Sequence, residues 1–170
     1  MHNQMNQRTL IAAGILLGIG LGGFFDGIVL HQILQWHHML TSDGYPPTSV
    51  HNLQVNTLAD GLFHAFAFVM TALGLALLWR STRRSHGPLP TKMLIGLLLI
   101  GWGLFNDIEG LVDHQILGIH HVRPGPHQFA YDMGFLAWGA IMLVGGWALL
   151  QAGRREIVPD LKARVRGRTS

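Results

Sequence analysis

The chain has 170 residues, 49% hydrophobic and only 12% charged, with a mean hydropathy of +0.30. That balance is too apolar for an ordinary soluble domain, and the length fits a single domain. The lack of cysteine excludes disulfides, thiolate metal sites and iron–sulfur clusters. The net charge of +3 comes from basic residues that flank the apolar segments on one side, which reads as a topology signal and not as a nucleic-acid-binding arm.

Four apolar stretches are each long enough to cross a bilayer, which takes about 20 residues. The first, roughly 10–35, is too long for the apolar part of a signal peptide and has no small-residue cleavage site after it, so it reads as a retained helix. Within it, Gly14, Gly18 and Gly22 follow small-xxx-small spacing, with Gly23 adjacent, which lets helix backbones approach closely. A connection over about 39–56 contains Ser42-Asp43-Gly44-Tyr45-Pro46-Pro47, a helix-breaking stretch. The second span covers about 57–79. A connection over 81–92, with Gly87-Pro88 and Pro90, leads to the third span at about 93–117. Arg123-Pro124-Gly125-Pro126 precedes the fourth span, about 129–150, and a basic tail follows over 151–170.

Eleven of the twelve basic residues lie before the first span, between the second and third, or after the fourth. Only Arg123 lies in the other two connections. The asymmetry predicts both termini on the cytoplasmic side of the membrane. The expected fold class is an all-α, four-transmembrane-helix bundle.

One motif occurs twice. Asp26-Gly27-Ile28-Val29-Leu30-His31-Gln32-Ile33-Leu34-Gln35-Trp36-His37-His38 returns, 83 residues later and without a gap, as Glu109-Gly110-Leu111-Val112-Asp113-His114-Gln115-Ile116-Leu117-Gly118-Ile119-His120-His121. The partner spans also correspond: Asp60 aligns with Asp132, and both spans close with Ala-Leu-Leu. The pattern predicts two helical hairpins, about 10–79 and 93–150, related by an axis along the membrane normal.

Ionisable residues inside a membrane mark function by default. With a rise of 1.5 Å per residue, Asp26, Glu109 and His64 should lie about 10–13 Å inside the extracytoplasmic boundary. His31, His114, Asp60 and Asp132 fall about one turn shallower, and His37, His38, His120 and His121 at or beyond the interface. At 100° per residue His31 and His38 share one stripe, and Asp26 and His37 the neighbouring one. Asp60 and His64 sit one turn apart, although Asp60 could equally cap its helix.

Neutral imidazoles and carboxylates suit zinc, iron or Cu(II), and three histidines with four carboxylates are enough for two ions. The expected metal set is Asp26, His31, Asp60, His64, Glu109, His114 and Asp132. The His37-His38 and His120-His121 pairs could form an outer metal or entry site, and Asp113 a proton-moving catalytic group. Gln32 and Gln115 could orient the neighbouring histidines. His51 and His127 are expected at the interface and His2 and His86 on the other side, all outside the set. The tryptophans read as interfacial or packing residues.

At these residues the chain resembles a family of predicted bacterial membrane proteins of unknown function, whose hallmark is similar to the stretch 25–38 and its echo at 109–121. The resemblance covers residues 10–150 and implies a membrane protein, with no activity attached. Four functions stay open: a metalloprotein, redox or hydrolytic if an enzyme, acting on a lipid-soluble molecule that enters sideways between helices or on a small molecule from the extracytoplasmic side; a metal or proton carrier; a b-type haem protein with His31 and His114 as axial ligands; and an assembly protein. The bilayer is the expected partner, a homo-oligomer is compatible, and nucleic acid is not expected.

Overall fold

The computed structural model describes residues 7–83 and 89–166, with side chains up to residue 156. His2, Arg84, His86, Gly87-Pro88 and Arg168 lie outside the described residues. The chain folds into four long helices: α1 (Gln7–Phe25), α2 (Val50–Arg83), α3 (Thr91–Glu109) and α4 (Gln128–Arg166). The described residues contain no strand. α1 continues as a π-helix over Asp26–Ile33, and α3 does the same over Gly110–Ile116. All four helices are long and apolar enough to cross a membrane.

The helices do not share the centre equally. α1 packs against both α2 and α3, and α3 packs against both α1 and α4, whereas α2 and α4 do not touch. Half of the apolar window of α1 is buried but only 11% of that of α2, so the outer helices turn most of their surface to lipid. Glycine makes the central crossing possible. A Cβ on Gly18 would lie 2.2 Å from the Leu98 carbonyl oxygen, and one on Gly101 2.2 Å from that of Ile15. Backbones this close gain dispersion contacts and leave no channel between α1 and α3 at that depth. Below the crossing, Leu10, Met93, Leu97 and Leu150 form the dry core. At the same end an exposed ion pair joins Lys92 and Glu156.

Two boundaries differ from those expected. α2 begins at Val50 rather than near residue 57, because Ser49 Oγ accepts the Asn52 N–H at 3.2 Å and caps the helix directly after Pro46-Pro47. His51 therefore stands, exposed, in the first turn of α2. Asp60 is well inside that helix and does not cap it. α4 continues through Arg166, so most of the 151–170 segment is helical.

Candidate metal centre

The π-helical turns place the polar residues. In each, backbone hydrogen bonds reach back five residues, and six at the end of the turn, where an α-helix reaches back four. Leu34 N–H donates to Val29 O at 2.8 Å and Trp36 N–H to Leu30 O at 3.0 Å. Leu117 to Val112 (2.8 Å) and Ile119 to Asp113 (3.0 Å) repeat the pattern 83 residues on. In an α-helix, residues five apart point about 140° away from each other. The wider π turn stacks them instead, so Asp26 Oδ2 comes within 3.0 Å of His31 Nε2.

Each π segment ends in a left-handed residue, Gln35 (φ 49°) or Gly118 (φ 61°). The chain then doubles back into the bundle. His37 and His120, expected at or beyond the interface, are consequently 2% and 0% exposed. Their rings stack on each other, 4.8 Å apart and 7° from parallel. His37 packs on His31 at 4.3 Å, and His120 on His114 at 4.9 Å.

Six buried side chains therefore converge: Asp26, His31 and His37 from the first motif, and Glu109, His114 and His120 from the second. Three overlapping triplets, His31–His37–His120, Glu109–His114–His120 and Asp26–His31–Glu109, each bring one donor atom per residue within 4.8 Å of the others. Two donors each about 2.1 Å from one ion at tetrahedral angles stand about 3.4 Å apart. The spacings of 3.0 Å for Asp26–His31 and 3.6 Å for Glu109–His120 bracket that value.

Ten buried side-chain polar atoms have no hydrogen-bond partner among the described residues, and eight of them belong to these six side chains. The unpartnered atoms include Nε2 of all four histidines and an oxygen of each acid. Buried polar atoms normally find partners; here eight without a hydrogen bond are concentrated at one point.

Behind the cluster, the opposite ring nitrogens are held. His31 Nδ1 donates to Asp60 at 2.9 Å, His37 Nδ1 to the Val122 carbonyl at 2.9 Å, and His120 Nδ1 to the Met39 carbonyl at 3.2 Å. Met39 and Val122 occupy matching positions in the two motifs, so each half holds the other's inner histidine. Donation from Nδ1 fixes the tautomer that turns the Nε2 lone pair toward the cluster, the usual support of a metal-bound imidazole. Burial, reinforced at His37 by the charge of nearby His31 and at His120 by that of His37, holds both groups below their ordinary pKa of 6.5, at about 4 and about 2. Both stay neutral, as ligation requires.

Asp60 and Asp132 stand one layer out, each 2% exposed. Besides His31, Asp60 accepts from the His38 ring (2.7 Å), the Gln32 amide (3.1 Å) and the Met39 backbone (3.0 Å). Asp132 accepts from the matching groups, His121 (2.8 Å), Gln115 (3.4 Å) and Val122 N–H (3.0 Å). His114 Nδ1 lies 3.6 Å from Asp132, beyond hydrogen-bonding distance. The second histidine of each pair is thus tied to a carboxylate and turned away from the cluster.

Other expected positions lie apart. His64 Nδ1 donates to its own helix at the Asp60 carbonyl (2.7 Å), and its ring packs on Gly27. Asp113 is half-buried and belongs to none of the triplets. Asp107 faces the backbone of Gly139 on α4. His127 is exposed in the loop before α4. Sequence reasoning missed Asn56, fully buried, which fixes the longer first loop through the Leu40 N–H and the Tyr45 carbonyl. Nor did any sequence signal mark the Met39 and Val122 carbonyls, because backbone acceptors carry none.

A family model described as "Predicted membrane protein (DUF2243)" matches residues 13–153. The chain belongs to the DUF2243 family. The match takes in all six converging side chains and the two aspartates behind them. No curated protein and no solved structure matches this DUF2243 member.

Proposed function

We propose that the protein is a membrane metalloprotein, with a buried, pseudosymmetric site for one or two transition-metal ions among Asp26, His31, His37, Glu109, His114 and His120. Relative to the set expected from sequence, His37 and His120 enter as ligands. Asp60 and Asp132 become positioning residues, and His64 becomes a packing residue. One observation carries the reading: four Nε2 atoms and the oxygens of two carboxylates meet, buried and without hydrogen bonds, while Nδ1 of three of the four histidines is held from behind. A proton shared by His31 and Asp26 would satisfy that pair alone and leave the other four groups orphaned.

The donor set is nitrogen and oxygen only, which fits zinc, iron or Cu(II). Glu109, His114 and His120 make a two-histidine, one-carboxylate triplet of the kind that suits iron. A bound ion would supply Lewis acidity or redox chemistry, and the chain's residues would orient the ligands and exclude water. The charge asymmetry supports a site on the extracytoplasmic side of the inner membrane. The matching hydrogen bonds support an origin of the two hairpins by duplication.

Two alternatives lose ground. A haem between His31 and His114 would need the space held by the His37 and His120 rings, each of which packs on both. A carrier would need a path past the Gly18–Gly101 crossing, where the backbones meet.

Elemental analysis of detergent-purified protein tests the proposal. We expect at least one transition metal per chain, lost in a His37→Ala, His120→Ala double variant. Wild-type protein free of metal after expression in metal-replete medium would overturn it.

A further inference from the structure

A cavity of about 320 Å³ lies beside the cluster, on the flank where the end of α1 and the start of α4 leave a gap. Its walls are Phe25, Trp36, Trp102, Tyr131, Phe135 and Trp138. Polar lining is sparse, and it includes Asp26 and Asn106. At the rim, Phe25 and Trp138 are about half exposed (49% and 54%), well within the membrane-spanning helices, so the cavity opens toward lipid. The Arg123 guanidinium stacks over Trp36 and Tyr131, 5.2 and 5.6 Å from their ring centres, and donates to the Tyr131 hydroxyl at 3.1 Å.

We propose that this cavity binds a flat, lipid-soluble ring compound carrying a hydroxyl group, of the phenol or quinol class, which enters sideways from the bilayer and turns its hydroxyl toward Asp26. The proposal rests on the metal reading for its purpose: Asp26 belongs to both sites, so an occupant would lie against the centre. Three observations choose the occupant. The volume is at the low end for small-molecule sites, yet about twice that of a cavity that holds one benzene, about 150 Å³. Six aromatic walls favour a ring, which they can meet by stacked or edge-on contacts. Asp26 Oδ2 faces His31 Nε2 at 3.0 Å on one side and, as a carboxylate oxygen with two lone pairs, can also accept from a hydroxyl.

The other flank provides an internal contrast. Leu30 lines the cavity, whereas its counterpart in the second motif is Asp113. Tyr131 and Trp138 on α4 correspond to Ala59 and Phe66 on α2. The Tyr131 and Trp138 walls are therefore not repeated on α2, as expected for a ligand site and not for a requirement of the helix packing.

The test uses the full chain in lipid nanodiscs, with tetramethylhydroquinone as probe and tryptophan fluorescence as readout, since Trp36, Trp102 and Trp138 line the cavity. Saturable quenching is expected. Gly134→Phe should weaken it at least tenfold with metal content unchanged, because a Cβ at Gly134 meets nothing within 4 Å and the larger side chain can fill the space without disturbing the fold. Tetramethylbenzene, the same ring without hydroxyls, should compete at least fivefold less well. Equal competition would overturn the role of Asp26, and undiminished quenching in Gly134→Phe would overturn the cavity. Saturable binding to metal-free wild-type protein would leave the cavity standing and overturn the metal reading. Metal-loaded protein without saturable binding would do the reverse.

Discussion

The two halves of the molecule share a framework and differ in what they present to lipid. In each, a π turn lifts a carboxylate onto a histidine, and a left-handed residue sends the chain back. An aspartate on the partner helix then gathers two side chains and one backbone N–H. The acid itself varies, Asp26 in one half and Glu109 in the other, and so does the outer surface: Tyr131 and Trp138 of α4 wall a cavity where α2 carries Ala59 and Phe66. What is common is the machinery that aims nitrogen lone pairs at one point. The halves therefore constrain the ligands more strongly than the ligand-binding chemistry around them.

The largest effect should come from removing an aspartate of that framework. Asp60→Ala strands the donors of His31, His38, Gln32 and Met39 in a buried place, and breaking such a charged network costs on the order of 3–5 kcal/mol. Metal affinity should fall about 10–100-fold, as when outer-sphere partners of a ligand histidine are removed. Asp132→Ala should do the same, somewhat more mildly, because His114 lies farther from its carboxylate than His31 does from Asp60. Thermal unfolding in detergent and metal titration would check both. A wild-type Asp132→Ala would break the equivalence of the halves.

A smaller effect distinguishes the two turns. Gln35 holds a left-handed backbone that costs an ordinary residue about 1–2 kcal/mol, whereas Gly118 adopts it freely. Gln35→Gly should therefore leave stability unchanged or raise it by up to about 1 kcal/mol, and Gly118→Gln should lower it by about 1 kcal/mol. Thermal unfolding of the two variants is the measurement. Opposite signs sharpen the comparison, and a destabilised Gln35→Gly would show that the glutamine side chain has a role of its own.

The spans, the recurring motif and the end of the bundle that carries the polar groups were all legible in the sequence. Apolar length and spacing record them directly. The facing of those groups was not, because it was extrapolated at the α-helical angle through a segment that is π-helical. That one change separates Asp26 and His31 on paper and joins them in the fold. The depth of His37 and His120 was hidden for a related reason. Gly118 signals a turn, but Gln35 does not, and nothing in a His-His pair says that its two rings point opposite ways. Asp60 and Asp132 were recognisable as important, while their place behind the histidines depends on loop backbone that no pattern reports.

The smallest expected effect concerns His64, which sequence position groups with the ligands and the fold does not. Its counterpart on α4 is Leu136, and the two side chains do the same job: His64 covers Gly27 on α1, and Leu136 covers Gly110 on α3. Each lets a glycine bring its π-helical turn close to the neighbouring helix. Among the described residues, the one side-chain hydrogen bond of His64 returns to its own helix, at the Asp60 carbonyl, which α2 also offers to the helix ladder. His64→Leu should consequently keep full metal content and shift stability by less than about 1 kcal/mol, within the range of a well-fitted apolar exchange. A loss of metal comparable to that of the His37→Ala, His120→Ala variant would mean that His64 reaches the ions after all. The two halves would then differ in their ligands, and not only in the lipid-facing surface around them.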